Sequence, residues 1–477
     1  MSSESRKPMV LPRPSVKCMT LVAIMMSGFG ANALASDHYV TGQTSTFDCS
    51  AVSPGDTVTL AAGTRGPLVI KNCRGTATQR IRIRNDAGGT GPVVIRRTSG
   101  NAGGFIFSCV DCIQVNIDGS AKWVGAPASE TRGIKITMAG GGAPSAFMKV
   151  AGLSRFMTIR YIEIDGTWPS IANDGIGMSV NDHNMNTVDN PGIWREGFLI
   201  EHNYVHNTEG EGLYVGSNYN DGHELPVRDV EIRNNLIEDT GWDGMNLKYA
   251  IAGNNKIHHN VLKRVGSELD ATSGQHRGMT MYEGGGSIYN NWIEKSGQAG
   301  ILHFLQYLPE SFGTQTCEIY NNVIVSPGQT DPSIGHGILS SNRSGAAVPL
   351  PKIYNNTVIG ANGDGIRVGD RAAGGFVRDN IVAGAAGVPI GAPGNVVQEN
   401  NRAGSISNMG FANAAANDYR LTPGSPARNA GGAGFPPTDY LDVPRPQEGA
   451  ADQGAFEYDA DANNDAPPNA PVITTVQ

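Results

Sequence analysis

The chain is poor in charged and aromatic residues: of its 477 residues, 17% are charged and 7% are aromatic, whereas 63 are glycine. Glycine interrupts helices, because it is about 1 kcal/mol less favourable than alanine inside one. The composition therefore excludes a helical bundle and argues against an α/β enzyme. It favours an all-β protein in which many short strands are joined by tight turns.

Long apolar runs are absent as well, and none reaches the ~20 residues that a membrane-spanning helix needs. The N-terminal apolar stretch, residues 19–29, follows a basic region and precedes the small-residue sequence Ala-Leu-Ala at residues 33–35. This order is typical of a secretory signal peptide. We predict a signal peptide over residues 1–35, secretion to the extracellular space or the periplasm, and no membrane partner.

Cysteine is scarce, with six residues in the chain. Cys49 and Cys73 could form a disulfide in an oxidising compartment, whereas Cys109 and Cys112 could either pair or occupy neighbouring strand positions. The Cys-x-x-Cys spacing of the second pair has no second motif and no nearby histidine, so it is weak evidence for zinc or redox chemistry. We expect structural roles for these residues and for Cys317.

The formal net charge of −8 argues against non-specific binding of nucleic acid. It does not exclude an anionic polymer, because salt screening lets a local basic groove outweigh distant acidic residues. An anionic polysaccharide therefore stays open as a partner, and nucleic acid does not.

What the chain has in abundance is repetition, in two alternating signatures. The first is an apolar residue followed three positions later by Asn, and it occurs at Ile200/Asn203, Ile232/Asn235, Ile257/Asn260, Ile288/Asn291, Ile319/Asn322, Ile353/Asn356 and Val377/Asn380. The second is a glycine that opens a short apolar strand, and it occurs at Gly175, Gly212, Gly244, Gly278, Gly300, Gly337 and Gly365.

A period of this length indicates a solenoid, because one coil cannot bury its own apolar face. Coils stacked about 4.8 Å apart complete both the backbone ladder and the core. Asn at one turn of every coil tolerates the left-handed conformation, and its amide can bond to the Asn above and below. We predict an all-β fold, a single-stranded right-handed parallel β-helix, with coils over about residues 55–390.

The domain prediction is a β-helix with terminal caps over residues 36–458. Residues 391–458 are expected to cap the open edge of the last coil. The stretch from residue 459 to 477 is rich in Asp, Asn, Ala and Pro, which predicts a disordered tail.

Strand alternation maps the outward face of the glycine-led strands. One predicted column contains Gly177, Tyr214, Asn246, Thr280, Leu302, Leu339 and Arg367. The second contains Ser179, Gly216, Lys248, Tyr282, Phe304, Ser341 and Gly369. Insertions at about residues 181–197, 217–229, 305–315 and 342–351 flank the middle of this face, and a further one lies at 266–277. Loops on a rigid solenoid make clefts, so we expect Lys248 near the floor of one.

The residues of this cleft suit β-elimination on a uronate polymer. That reaction needs a base for the proton next to the carboxylate, an acid for the leaving oxygen, and neutralisation of the carboxylate. Lys248, partly desolvated beside a cation, can act as the base. Tyr214 can donate to the leaving oxygen, and Arg277 with Asn246 can hold the carboxylate.

Further substrate-binding candidates surround these residues. Tyr282 shares the face with Asn246, His276 precedes Arg277 in an insertion, and Trp242 could stack on a sugar ring. The alternative interpretation of Lys248 is an ordinary solvated lysine on the outside of a coil, and that of Trp242 is plain packing.

Acidic residues precede the glycine in several coils, at Asp174, Glu211 and Asp243. Stacked carboxylates could share a Ca²⁺ ion, which prefers oxygen ligands. Asp-Gly is also common in turns, and Asp364 repeats the pattern far from the cleft. No cofactor is required by these residues, and Ca²⁺ is the one candidate.

The stretches SPGDTVTLAAGT with RIRIRND, and DYRLTPGSPARNAG with DQGAFEY, resemble the first and last segments of the pectin-lyase-like superfamily of right-handed β-helices. The motifs EGEGLYVG and WDGMNLK are similar to alginate- and glucuronan-cleaving lyases of polysaccharide lyase family thirty-one. That resemblance implies a catalytic pair on adjacent coils, Tyr214 and Lys248. The related family of alginate lyases and chondroitinase B implies a Lys base with an Arg and a calcium ion, which Lys248 and Arg277 would fit. Its metal-binding Asn and Glu pattern is not clearly present.

The resulting hypothesis is a secreted, monomeric polysaccharide lyase acting on a uronate polymer, with alginate or poly-mannuronate as the first choice. Three rivals stay open: a mannuronate epimerase, a glycoside hydrolase using Asp243 and Glu211, and a non-catalytic glycan-binding surface solenoid. The Asp-Pro-His-Asp motif associated with such epimerases is absent.

Overall fold

The computed structural model describes residues 35–460, except residues 101, 128, 130, 173–174, 182–193, 217–225, 252 and 269–274. The predicted signal peptide lies outside the described residues apart from residue 35, as do Asp174 and residues 461–477 of the predicted tail. Parts of the insertions at 181–197, 217–229 and 266–277 lie outside them too.

Three long parallel sheets dominate the described residues, and each coil between the first and the last contributes one strand to each sheet in a fixed order. Sheet one contains Asp37–Val40, Thr57–Leu60, Ile81–Asn85, Ile113–Asp118, Arg155–Arg160, Leu199–Glu201, Glu231–Arg233, Lys256–His258, Gly286–Tyr289, Thr314–Tyr320, Val348–Tyr354, Phe376–Arg378 and Val397–Glu399. Sheet two contains Gly63–Arg65, Val93–Arg97, Ile134–Met138, Ile162–Asp165, Tyr204–Thr208, Leu236–Thr240, Val261–Lys263, Trp292–Glu294, Val323–Val325, Thr357–Ile359, Ile381–Ala383 and Arg402–Gly404. Sheet three contains Thr46–Asp48, Leu68–Lys71, Phe105–Val110, Ala146–Ala151, Ile176–Val180, Leu213–Val215, Met245–Lys248, Met279–Tyr282, Ile301–Leu305, Ile338–Asn342, Ile366–Val368 and Ile390–Gly391.

The remaining elements are short. Two small strand pairs join Arg195–Glu196 with Val227–Arg228 in parallel and Phe411–Asn413 with Asp418–Leu421 in antiparallel orientation. Single 3-10 turns lie at Cys49–Ala51, Glu310–Phe312, Pro332–Ile334, Ile406–Asn408 and Ala414–Ala416. The prediction of an all-β parallel β-helix is confirmed by this architecture.

Alternate residues of each strand point into one continuous core. In Ile81–Asn85 the buried residues alternate with exposed arginines, and the same cluster of buried side chains extends along the solenoid from Val40 to Val396. The two cysteine pairs, Cys49 with Cys73 and Cys109 with Cys112, are disulfide-bonded, and Cys317 is buried as a free thiol. No helix of the described residues is long and apolar enough to cross a membrane.

The asparagine signature forms a buried amide ladder between sheets one and two. Each side-chain NH₂ donates to the side-chain oxygen of the next Asn at 2.9–3.0 Å, along Asn203, Asn235, Asn260, Asn291, Asn322, Asn356, Asn380 and Asn401. The predicted left-handed conformation belongs to the preceding residue instead, as in Asn234, with φ of 53°. The ladder asparagines themselves act through their amides.

The glycine of the second signature is required by close packing rather than by backbone conformation. A Cβ atom on Gly244 would lie 2.6 Å from the Leu262 side chain and 2.8 Å from the carbonyl oxygen of Gly278. Both distances are shorter than non-bonded atoms tolerate. The glycine therefore lets the chain turn tightly from sheet two into sheet three.

Two predicted alignments are wrong. The glycine that stacks on Gly212 is Gly177, not Gly175, because the Gly177 amide bonds to the carbonyl of Glu211 and the Gly212 amide to that of Asp243. Ser179 consequently pairs with Tyr214 and not with Gly216, and Gly177 leaves the outward column. The chain bends at Tyr161, with φ of 56°, between the strand Arg155–Arg160 of sheet one and the strand Ile162–Asp165 of sheet two.

The C-terminal segment differs from the expected cap. The last coil continues to Gly404, beyond the predicted limit of residue 390. Residues 405–460 then run back along the side of the solenoid. Tyr419, Tyr440 and Phe456 pack against sheet-two residues such as Trp292, and the Asn290 side chain donates to the carbonyl of Asp439 at 3.3 Å.

Replacing Asn291 by alanine tests the amide ladder. The change removes a donor and an acceptor from a buried site, which leaves the amides of Asn260 and Asn322 short of partners. We expect the free energy of unfolding to fall by about 3 kcal/mol, measured by chemical denaturation. Asn408→Ala, at an exposed position, is the control and should change it by less than about 0.5 kcal/mol. Equal effects of the two substitutions would remove the special role of the ladder.

Candidate functional site

A cavity of about 230 Å³ opens on the outer face of sheet three. Its walls come from the strands at 245–248, 279–282 and 301–305 together with two adjoining loops. It is lined by Asp243, Asn246, Lys248, Gln275, Arg277, Thr280, Tyr282, Leu302, Phe304 and Gln306. The cavity has a cationic and polar side, with Arg277 and Asn246, and an aromatic and apolar side, with Phe304 and Leu302.

Lys248 ends the strand Met245–Lys248 and stands beside Tyr282 of the next coil. Its ammonium lies 4.7 Å from the centre of the Tyr214 ring and 5.4 Å from that of Tyr282. Only 6% of the residue is exposed. Burial lowers the pKa of this lysine, Glu211 and Asp243 oppose the shift, and Arg277 adds to it. The neutral amine is therefore more accessible than for a lysine in water.

Two acidic residues lie on neighbouring coils close to Lys248, and of the two only Asp243 lines the cavity. Glu211 is 1% exposed, and burial together with the charge of Asp243 raises its pKa to about 7. One of its carboxyl oxygens has no hydrogen-bond partner among the described residues. Asp243 is saturated by comparison, because it accepts from the Arg277 amide at 2.8 Å, the Thr280 hydroxyl at 2.9 Å and the Asn246 side chain at 3.2 Å. Asp243 thus positions three residues that line the cavity.

A buried carboxylate also holds the opposite wall. Glu283 is left-handed, with φ of 60°, and fully buried. It accepts the backbone amides of Gln306, Tyr307 and Leu308 at 2.8, 2.6 and 2.7 Å. The loop therefore presents Gln306 to the hydroxyl of Tyr282, which donates to it. Burial raises the pKa of Tyr282, so its phenol stays protonated.

Of the seven predicted site residues, four line the cavity and a fifth contacts Lys248 from the adjoining coil. Lys248, Arg277, Asn246 and Tyr282 line the cavity, whereas Tyr214 is 8% exposed and contacts the Lys248 ammonium from the adjoining coil. This corresponds to the predicted column through Tyr214, Asn246 and Thr280.

The other two candidates do not line the cavity. His276 is 3% exposed. The Trp242 indole donates to Glu268 at 2.6 Å, which fixes the ring at the corner before sheet three. Both are close in sequence to residues that line the cavity, but neither of them lines it.

Several cavity residues were not identified as site candidates from the sequence. Thr280, Leu302 and Phe304 occur in the predicted outward columns, so their position was available from the alternation. Gln306 comes from a loop whose course depends on Glu283, and no sequence pattern signals that contact.

The described residues do not fit a calcium ion. No cluster of three or more His, Cys, Asp or Glu side chains is arranged for a metal in the part of the chain that the structure describes. The oxygens of Asp243 are already used by three protein donors. In the stack of glycines the position before Gly177 is held by Ile176, an apolar residue, instead of an acidic one; Asp174 lies outside the described residues.

Comparison with known proteins gives structural likeness alone. No family model and no curated protein matches the chain. It is similar to the pectate lyase Pel9A, with 13% identity and a TM-score of 0.48 over 90% of this chain and 97% of that one. An alginate lyase from Paenibacillus sp. strain FPU-7 has 15% identity and a TM-score of 0.45 over 76% and 99% of the two chains.

A family 6 polysaccharide lyase from Pseudopedobacter saltans has 13% identity and a TM-score of 0.41 over 82% of this chain and 99% of that one. A lacto-N-biosidase and an alginate epimerase are similar too. These proteins differ in reaction, and nothing about the activity of this chain follows from the likeness. The resemblance to family thirty-one stays a prediction.

Glu211 makes stability depend on pH. Its pKa of about 7 lies above the unfolded value of 4.5, so its contribution is complete below pH 4.5 and is lost as the pH rises through about 7. Glu211→Gln keeps the shape and removes the charge. We expect the free energy of unfolding of this variant, measured by chemical denaturation, to exceed that of the wild type by up to about 3 kcal/mol at alkaline pH. At acidic pH the two should have the same free energy of unfolding. Glu399→Gln, at an exposed position, should show no such change; a gain that is the same at both pH values would contradict the assignment.

Glu283→Ala tests the support of the cavity wall. Loss of three charge-assisted hydrogen bonds should release the loop at residues 306–308. We expect hydrogen exchange of those three amides to become at least about tenfold faster, since one lost bond of this kind exceeds 1.4 kcal/mol. Glu310→Ala, whose side chain is 60% exposed on the same loop, is the matched control. Unchanged protection in the Glu283 variant would show that other contacts hold the loop.

Proposed function

We propose that the protein is an exported polysaccharide lyase that cleaves a uronate-containing polymer by β-elimination, with alginate or poly-mannuronate as the first substrate to test. The observation that carries this proposal is the environment of Lys248. A buried amine lies between two phenol rings and faces a cavity that also contains a guanidinium group. An amine, a phenol and a guanidinium group are the groups that the reaction requires.

Lys248 is the proposed base. Burial destabilises its ammonium form and lowers its pKa, so the neutral amine can remove the proton on the carbon next to the uronate carboxylate. The electron pair of that C–H bond forms the new C=C double bond, and the bond to the glycosidic oxygen breaks. The proton stays on the Lys248 nitrogen and is released to solvent when the product leaves.

Arg277 and Asn246 are proposed to bind the carboxylate, because charge moves onto it as the proton leaves. Both line the cavity, and both are positioned through Asp243. The guanidinium group can form two parallel hydrogen bonds to a carboxylate. Arg277 would neutralise the uronate carboxylate, which is the role that a protein-bound calcium ion would otherwise have.

The leaving oxygen needs a proton, and Tyr214 is the proposed donor because its ring contacts the Lys248 side-chain nitrogen. The resulting phenolate regains a proton from solvent when the product leaves. Tyr282 is the second candidate, since it lines the cavity and its phenol stays protonated. Phenylalanine at each position separates them: loss of the donor lowers kcat, whereas loss of a binding contact raises KM.

The hydrolase alternative has one observation in its favour. Glu211 and Asp243 are neighbouring carboxyl groups in different environments, a feature of acid–base pairs. However, Glu211 does not line the cavity, and Asp243 is engaged by three protein donors. An epimerase would share the first proton transfer and return a proton to the other face.

The deciding experiment incubates the mature protein with alginate, polyglucuronate and pectate and follows ultraviolet absorbance. An unsaturated uronate is produced by a lyase alone among the four alternatives. Lys248→Met should lower the rate about a thousandfold, which is the usual contribution of a general base. Lys263→Met, on sheet two, should retain the wild-type rate.

Absence of absorbance from the wild type on all three polymers would contradict the lyase proposal. Full activity of Lys248→Met would keep the reaction but exclude Lys248 as the base.

A further inference from the structure

A second cavity, of about 290 Å³, lies on the outer face of sheet one near the N-terminal end of the solenoid. It is built by the strands Ile81–Asn85, Ile113–Asp118 and Arg155–Arg160 and by the loop after the second strand. It is lined by Arg82, Arg84, Asn116, Asp118, Ser120, Ala121 and Arg160. Three guanidinium groups thus converge on one space in a chain whose net charge is −8.

The carboxylate in this cavity is already neutralised. Arg160 donates to one oxygen of Asp118 through two nitrogens, at 3.0 and 2.7 Å. Arg160 also lies 3.5 Å from Glu201 of the following coil. Asp118 and Arg160 therefore form the fixed, internally paired side of the cavity.

The other two arginines carry the available charge. Among the described residues, Arg82 has no ion-pair partner, and its coil neighbour in the sheet is the neutral Asn116. Arg84 lies 3.3 Å from Asp37, but both side chains are about half exposed, at 44% and 51%. Pairs of this kind contribute little in water, so a ligand can displace the contact.

The arrangement along the strand favours a polymer with regularly spaced acidic groups. Arg82 and Arg84 are two residues apart, so both point outward about 7 Å from each other. Arg80, just before this strand, donates to Asn116 at 3.1 Å and adds a further positive charge at the edge. Planar guanidinium groups bind carboxylates with two parallel hydrogen bonds, and Asn116 and Ser120 can bond to hydroxyl groups.

We propose that this cavity is a second, non-catalytic binding site for a carboxylate-bearing polysaccharide. It lies on sheet one, whereas the Lys248 cavity lies on sheet three, so the two sites occupy different faces of the solenoid. That the polymer bound here is the same uronate polymer that the enzyme cleaves rests on the proposed function. The site itself holds the enzyme on the polymer while the other face carries out cleavage.

The test is affinity electrophoresis of the full mature chain in gels containing alginate or polygalacturonate. Lys248→Met is the background in every lane, so that the polymer is not cleaved. Arg82→Gln/Arg84→Gln should weaken retardation, with an apparent Kd about tenfold higher, as expected for the loss of one charge-assisted pair. Lys263→Gln/Lys295→Gln removes the same charge from sheet two and should leave retardation unchanged.

The outcomes separate this inference from the lyase proposal. Loss of retardation in the arginine variant supports the second site even when the wild type cleaves no polymer. Equal retardation of the arginine and lysine variants overturns it even when lyase activity is present. The Lys248→Met background is also run in gels containing dextran sulfate. If dextran sulfate retards it as much as alginate and polygalacturonate do, or more, the assignment of a carboxylate-bearing ligand is overturned.

Discussion

Every coil of this chain is held by the coils above and below it, through parallel backbone hydrogen bonds and a shared apolar interior. Nothing within a single coil could bury its own side chains, so the vertical repeat constrains the sequence at each turn. The amide ladder is the most specific expression of that constraint. Asn260 and Asn291, for example, each accept from the Asn of the previous coil and donate both to the Asn of the next coil and to a backbone carbonyl. A polar group at that depth would otherwise be costly.

The same stacking brings charged groups together in the candidate site. Glu211, Asp243 and Arg277 precede the stacked glycines of three consecutive coils, and Lys248 points into the adjoining space. Their environments differ although they are neighbours: Asp243 accepts from three donors, whereas one oxygen of Glu211 has no partner within the part of the chain that the structure describes. Burial then shifts Glu211 and Lys248 toward their neutral forms. A rigid solenoid can maintain such a cluster because its backbone does not relax around the buried charges.

Much of this arrangement was predictable, since periodicity alone aligns the coils. Lys248 and Tyr282 end strands of equal length after their glycines, so the sequence places them side by side, as the structure does. The prediction that Gly175 stacks on Gly212 is wrong, because Gly177 occupies that position. The sequence pattern does not distinguish the two glycines. The periodicity does not show that Trp242 and His276 lie outside the cavity, because both come two residues before a glycine at which the chain turns into sheet three. The contact of Glu283 with residues 306–308 depends on a loop fold that has no repeat to reveal it.

The segment after the last coil gives the solenoid a property that stacking alone would not. Repeat proteins usually unravel from their ends, since each repeat contacts only its nearest neighbours. Here residues 405–460 contact ladder-side residues as far apart as Asn290, Asn321 and Asn355 and also bond to the final coil through Arg402. This segment thereby connects several coils along the side of the solenoid that they share. The C-terminal half should consequently open as a single cooperative block, and its last coil should not fray independently.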